Sequence, residues 1–385
     1  MKIAMIGQKG IPATYGGIEK HVEELSSRLA GLGHDVTVFC RPYYTNPSVE
    51  DGKVKRVKEK CSYRGINLKI LASLNTKHLD AITHTAVSSM AALSGGFDII
   101  HYHALGPSLL SFLPRVLSSA GVIATVHGLD WHRNKWRGVA TWALKAGELA
   151  TAWFPHRTIV VSRTLKKYYR ENHSRCDCHY LPNGQELISP LKPGIISGKY
   201  GLNGNDYLLF VGRLVPEKGC HSLISAFKKV DTAKRLVIAG GSSHSDEYQQ
   251  ELHNMAADDP RILFTGYVYG DELKELYSNC CLFLLPSELE GLPIVLLEAL
   301  GYGCPALVSD IPENMEVIAP DGALLYGYKF RNRNVDDLQE NLTGLLNSSP
   351  PPDSLREKVK SYLATNYNWD RITLDTMKVY QEALG

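Results

Sequence analysis

The chain has 385 residues, 44% of them hydrophobic, 21% charged and 33 of them glycine, an ordinary globular composition on the scale of two domains. The formal net charge of +2 excludes a histone-like or acidic-tail protein, and no nucleic-acid partner is expected. That sum hides an asymmetry: residues 1–190 carry 24 Lys and Arg against 14 Asp and Glu, whereas residues 191–385 carry 18 against 26. No apolar run approaches bilayer length, and Met1–Gly7 is too soon interrupted by glycine for a signal peptide, so a cytoplasmic protein is expected. The eight cysteines are scattered, which suits buried, reduced thiols. His173, Cys176, Cys178 and His179 lack the two-residue cysteine spacing of common structural zinc sites, so no metal is expected there.

In chain order, Lys2–Ile6, Asp35–Cys40, Ile66–Leu71, Asp98–Tyr102, Val122–Val126 and Thr158–Val161 are short apolar runs bounded by Gly, Pro or Asp. They read as buried parallel strands. Amphipathic stretches separate them, such as Ile18–Ala30 with Ile18, Val22, Leu25 and Leu29 at helical spacing. The pattern restarts after Leu181–Gly184 and a Pro-, Gly- and Ser-rich loop, Ser189–Gly204. New strands are then expected at Tyr207–Val211, Arg235–Ala239, Ile262–Phe264, Cys281–Leu285 and Ala306–Val308. The fold class is therefore α/β, with two Rossmann-like, doubly wound parallel-sheet domains at residues 1–190 and 191–369. A helix over Asp370–Leu384 follows the second domain. Ligands of such sheets bind beyond the carboxyl ends of the strands, so the informative residues are expected there, around an interdomain cleft.

The first strand runs into Gly7–Gly17, a glycine-containing turn that opens a helix. Gly16 and Gly17 there are either a plain tight turn or a close approach to phosphate. The spacing is not Gly-x-Gly-x-x-Gly, and the second strand ends Phe39-Cys40-Arg41 without an acidic residue, which argues against a dehydrogenase. The strongest signal is Pro286–Leu300. Glu298 lies within an apolar helical run, where its carboxylate needs partners such as a ribose diol or a buried cation. Glu290 stands eight residues earlier, a helix rise of about 12 Å, the scale from a ribose across a diphosphate to a sugar. Backbone amides around Leu292 and Ile294 are placed for the phosphates between. Arg213 and Lys218, in Gly212–Gly219 at the end of another strand, are a planar fork and a point charge suited to a diphosphate, or else solvated turn residues. His127 ends the strand Val122–Val126 and reads as either a core histidine or a sugar-binding one. His101 and His103 read as structural.

Together Glu290 and Glu298, Gly212-Arg213 with Glu217-Lys218-Gly219, Tyr15-Gly16-Gly17 and Pro182-Asn183-Gly184 resemble the GT-B retaining glycosyltransferases of family four, over nearly the whole chain. The resemblance implies a nucleoside-diphosphate sugar bound by the second domain, an acceptor on the first, and a last helix returning to the first. By it, Glu298 would hold the ribose, Glu290 the donor sugar, Arg213 and Lys218 the diphosphate, Gly16 and Gly17 its near side, and Gly266 with Tyr267 the base. His127 would sit near the transferred sugar. Pro293 departs from the glycine of many members and removes an amide. Catalysis would stabilise charge on the departing diphosphate during front-face attack. There is no Asp-x-Asp, so metal-independent transfer without a cofactor is expected, to a glycan or lipid-linked acceptor in bacterial-type polysaccharide or glycolipid synthesis. Two other readings share the fold: a nucleotide-sugar 2-epimerase and a catalytically silent binding subunit of a polysaccharide assembly.

Trp131, Trp136, Trp142 and Trp153 fall in one stretch with Arg133, Lys135, Arg137 and Lys145, and Lys53, Lys55, Arg56, Lys58 and Lys60 form a basic run upstream. Trp136, Val139, Ala140, Ala143, Gly147 and Ala150 make one helical face, read as core, while Trp142 and Leu149 lie on another edge. Such a surface suits either a buried helix with a solvated loop or peripheral binding to an anionic membrane at its inner face.

Overall fold

Apolar strands too short to be helices can be buried on both faces only by helices packed on each side, and both halves of the chain adopt that solution. The structure is a computed structural model. It describes every residue except 46–54, 58–59, 75, 77–78, 130, 132–138, 174–176, 187, 243–245, 323–325 and 350–351. The chain divides into two units, Met1–Asn183 with Trp369–Gly385, and Gly184–Asn368.

The first unit holds β1 (Lys2–Ile6), β2 (Asp35–Cys40), β3 (Lys55–Val57), β4 (Lys60–Tyr63), β5 (Ile66–Ile70), β6 (Ile99–His103), β7 (Gly121–Val126), β8 (Arg157–Val160) and β9 (Cys178–Tyr180). Their order is β3-β4-β5-β2-β1-β6-β7-β8-β9. The run from β5 to β9 is parallel, while β3 and β4 form an antiparallel edge. That edge is a departure from the purely parallel sheet expected. It falls on the basic run, where lysines on an edge strand leave no apolar alternation to read. One face of the sheet packs Ile3, Met5, Val36, Val38, Ile99 and Ile123 against Val22, Leu25 and Leu29 of helix Gly17–Gly31. Val379, Tyr380 and Ala383 of the last helix, Trp369–Leu384, join the same cluster. The other face packs Ala4, Ile6, Ile100, Tyr102 and Val122 with Ala92.

The second unit is an all-parallel sheet of β10 (Tyr207–Val211), β11 (Arg235–Ala239), β12 (Ile262–Gly266), β13 (Leu282–Leu285), β14 (Ala306–Ser309) and β15 (Tyr328–Phe330), in the order β12-β11-β10-β13-β14-β15. The region expected to be loop, Ser189–Gly204, carries a six-residue helix, Ile195–Tyr200. Its free amino-terminal amides at Gly194 and Ile196 donate to the Glu275 carboxylate, which replaces the missing side-chain cap. Strand order reverses at β10/β13 in this unit and at β1/β6 in the other. Those switch points fix where loops splay apart to admit a ligand.

Candidate functional site

At the β10/β13 switch point two loops meet. Gly212–Gly219 leaves β10 and closes on a single 3-10 turn, Pro216–Lys218, and Pro286–Pro293 leaves β13. Gly219 has φ 69°, and a Cβ there would collide with the carbonyl oxygen of Pro286, so glycine lets the loops touch. The Glu288 amide donates to the Glu217 carbonyl at 2.9 Å, which ties them. Across this junction Lys218 Nζ lies 2.5 Å from Glu290 Oε1, with side chains 16% and 9% exposed. A cation and a carboxylate thus stand paired, and largely dry, at the carboxyl end of the sheet.

Helix Ile294–Gly301 follows at once. Its N-cap is Pro293 and no side chain caps it, so the amides of its first turn, Ile294 among them, point out from the positive end of the helix. Leu292, just before it, is buried. Glu298 projects one turn further on, where Tyr277 Oη donates to its Oε2 at 3.1 Å, and Tyr302 stacks on the Tyr277 ring at 5.6 Å. Burial and the neighbouring carboxylate push the Tyr277 phenol far above its ordinary pKa, so it remains a donor. Arg213 is half-buried in the β10 loop. Gly266 ends β12 with φ 70° and its carbonyl accepts from the Gly240 amide, while Tyr267 Oη donates to the Gly241 carbonyl. Arg213, Lys218, Gly266, Tyr267 and Glu290 all lie at or just beyond the carboxyl ends of strands of one sheet.

Two features here were not legible in the sequence. Glu313, in the first turn of helix Pro312–Ile318 beyond β14, is pushed up to about 7 by burial and by the charges of Glu290 and Glu316. Beneath the β13 loop, Ser309 Oγ donates to the Ser287 carbonyl at 2.5 Å and Asn314 donates to Ser309, all three buried. Neither cluster follows a periodicity or a spacing; they exist because β13 and β14 are neighbours.

In the first unit Gly16 is the N-cap of helix Gly17–Gly31, with φ 108°, and Gly7, at the end of β1, abuts the carbonyl of His103. His127 follows β7 and is not alone. Its Nε2 lies 3.1 Å from His103 Nδ1, and its ring meets that of His21 at 4.7 Å. His21 Nδ1 is 2.9 Å from Asn183 Oδ1. Burial lowers His21 to about 4, and burial with neighbouring imidazoles holds His103 and His127 well below the ordinary value. His103 therefore belongs to this cluster, whereas His101 is bound inside the sheet by Tyr380 and Thr125.

Of the other expectations, His173 pairs with Glu148 at 2.6 Å, and the same carboxylate accepts from Trp131 and Tyr168. Cys176 lies outside the described residues. Arg133, Lys135, Trp136 and Arg137, with Lys53 and Lys58, also lie outside them, and of Lys55, Arg56 and Lys60 only the backbone is described. In helix Val139–Trp153, Gly147 and Ala150 are buried but Ala143 is exposed, which corrects the core face expected through it. Trp142, Leu149 and Trp153, spaced seven and four apart, are 74%, 52% and 57% exposed.

Two doubly wound units with these switch-point loops define a GT-B glycosyltransferase, and known proteins agree. A family model described as Glycosyltransferase Family 4 matches residues 15–187, and one described as Glycosyl transferases group 1 matches residues 195–362. The chain belongs to glycosyltransferase family 4. An uncharacterized glycosyltransferase of Methanocaldococcus jannaschii is 24% identical over the full chain and 99% of its own length. Among solved structures, sucrose-phosphate synthase from Thermosynechococcus elongatus superposes with a TM-score of 0.81 at 19% identity, covering 99% of this chain and 98% of that one. Anabaena HepE in complex with UDP and glucose follows at 0.79 and 16%, covering 99% of both. No helix among the described residues is long and apolar enough to cross a membrane.

Proposed function

We propose that the protein is a retaining, metal-independent glycosyltransferase that takes its sugar from a nucleoside diphosphate bound to the Gly184–Asn368 unit. The observation that carries this is the Lys218–Glu290 pair at the β10/β13 switch point, with a tyrosine-held Glu298 on the helix that follows the same loop. In this reading Glu298 accepts from the ribose hydroxyls, and Lys218, Arg213 and the first-turn amides near Leu292 and Ile294 neutralise the diphosphate. Glu290 faces the sugar, and the backbone at Gly266 and Tyr267 meets the base. As the diphosphate departs, its new charge meets a cation already in place in a site of low water content, which lowers the barrier. The first unit supplies Gly16, Gly17 and His127 together with the site for a glycan or lipid-linked acceptor. A complex of Anabaena HepE with UDP and glucose supports the donor class.

Melting curves in millimolar UDP, GDP, ADP and dTDP test the donor site, because a bound nucleotide raises the apparent melting temperature by mass action. At least one nucleotide is expected to give a rise that Glu298→Ala diminishes, and transfer is expected to survive a chelator. No shift with any of the four would remove the donor-site assignment. Activity lost in chelator and restored by magnesium would remove the metal-independent mechanism.

A further inference from the structure

We propose that His21, His103 and His127 form a three-imidazole binding site for a divalent cation of the zinc class. Among the described residues this is the one group of three or more His, Cys, Asp or Glu whose ligand atoms come close enough, with one ring nitrogen of each within 4.8 Å of the others. Three nitrogens on a tetrahedral zinc, each at about 2.0–2.1 Å from it, stand about 3.4 Å apart. His103 Nδ1 and His127 Nε2, at 3.1 Å, are near that separation already, and ring rotation brings the third inward.

The surroundings also fit. A metal-bound imidazole ordinarily gives its other nitrogen's proton to a carbonyl or carboxylate oxygen, which fixes the tautomer. Asn183 Oδ1 stands at His21 Nδ1 in that role and leaves Nε2 as the ligand atom. His103 is fully buried, and its Nε2 has no hydrogen-bond partner among the described residues. Its ring is thus held by packing and by the cluster rather than by the sheet. Two members are buried and His127 is partly exposed, which gives a route of entry and leaves a fourth coordination position on that side. Imidazole ligands suit zinc, copper and nickel, and give no advantage to magnesium or calcium.

All three histidines belong to the first unit. Resting on the assignment of His127 to the sugar, the consequence is inhibition: a bound cation takes the His127 nitrogen out of the reaction. The protein would therefore need no metal yet be stopped by one.

The test is titration of the metal-free full chain with Co2+ alone, read by visible absorption, and with Zn2+ alone, read by calorimetry. One equivalent with the intense spectrum of a tetrahedral site is expected. His21→Gln, which keeps a partner for Asn183, and His127→Asn should each abolish it. Asn183→Ala should weaken it about 10–100-fold. His103→Cys should introduce a thiolate-to-cobalt charge-transfer band that the wild type lacks, a positive signal that a merely misfolded variant cannot mimic. No stoichiometric binding by the wild type, or binding that survives in folded His21→Gln and His127→Asn proteins, overturns the proposal. Failure here with nucleotide-induced stabilisation intact overturns the metal site alone. Stoichiometric cobalt without inhibition of transfer by zinc overturns the inhibitory role.

Discussion

At the scale of single residues, the two glutamates of the β13 loop and its helix have different work because their partners differ. Glu290 is paired with a cation, and Glu298 with a neutral phenol. Replacing Glu290 by Gln keeps the shape and removes the charge beside Lys218. Turnover is expected to fall about 100-fold, with nucleotide affinity changed much less, in steady-state kinetics and binding titrations. Wild-type turnover would contradict the role given to Glu290. A second prediction concerns His84, fully buried on helix Asp80–Leu93 near Arg41 and Asp80. Burial and then Arg41 lower it from 6.5 to about 4. The unfolded chain therefore binds a proton that the folded chain refuses. The stability this group confers is full above pH 6.5 and is lost as pH falls through 4. Comparing wild type with His84→Gln by denaturant unfolding should show their difference shrink by about 3 kcal/mol between pH 7 and pH 4. Glu290, Lys218 and His127 stood out in the sequence because they follow strand ends, and Glu298 because it is a charge within an apolar helix. His21 did not, because one buried histidine on an amphipathic helix carries no signal until β6 and β7 bring two more beside it.

At the scale of elements, the switch-point site depends on two backbones lying closer than side chains permit. Gly219→Ala adds a Cβ both to a left-handed residue and against the Pro286 carbonyl, so the loops must part. A loss of about 1–3 kcal/mol is expected in unfolding titrations, with weaker nucleotide-induced stabilisation than wild type. Unchanged nucleotide response in this variant would show that the loop junction does not shape the site. The central strands were legible almost to the residue, since β1, β2, β10 and β11 are apolar runs that no helix pattern explains. The hairpin β3–β4 and the three-residue strands β9 and β15 were not. β3, β9 and β15 are edge strands and β4 is next to the edge, all held by the sheet they join rather than by a hydrophobic pattern of their own.

At the scale of the whole molecule, the charge asymmetry follows the two units closely. The first carries 26 basic and 16 acidic residues, and the second 16 and 24. The positive unit also bears the exposed stripe Trp142, Leu149 and Trp153, with Phe154 39% exposed beside it. Apolar rings on a cationic body predict adsorption to anionic vesicles that weakens as salt screens it. Co-sedimentation at low ionic strength should be reduced by Trp142→Ser with Trp153→Ser, and no adsorption at low salt would dismiss a membrane partner.

The return of the last helix to the first unit has a consequence for how the protein is made. Tyr380 is fully buried and its hydroxyl meets His101, while Val379 and Ala383 complete the core beside Ile99 and Ile123. A nascent chain emerging from the ribosome therefore holds every residue of the Gly184–Asn368 unit before it holds all of the earlier one. Completion of the first unit waits for the last helix, against the usual amino-to-carboxyl order of domain folding. The sheet of the first unit is completed last, and a chain ending at residue 368 lacks the cover that Val379, Tyr380 and Ala383 give Ile99 and Ile123.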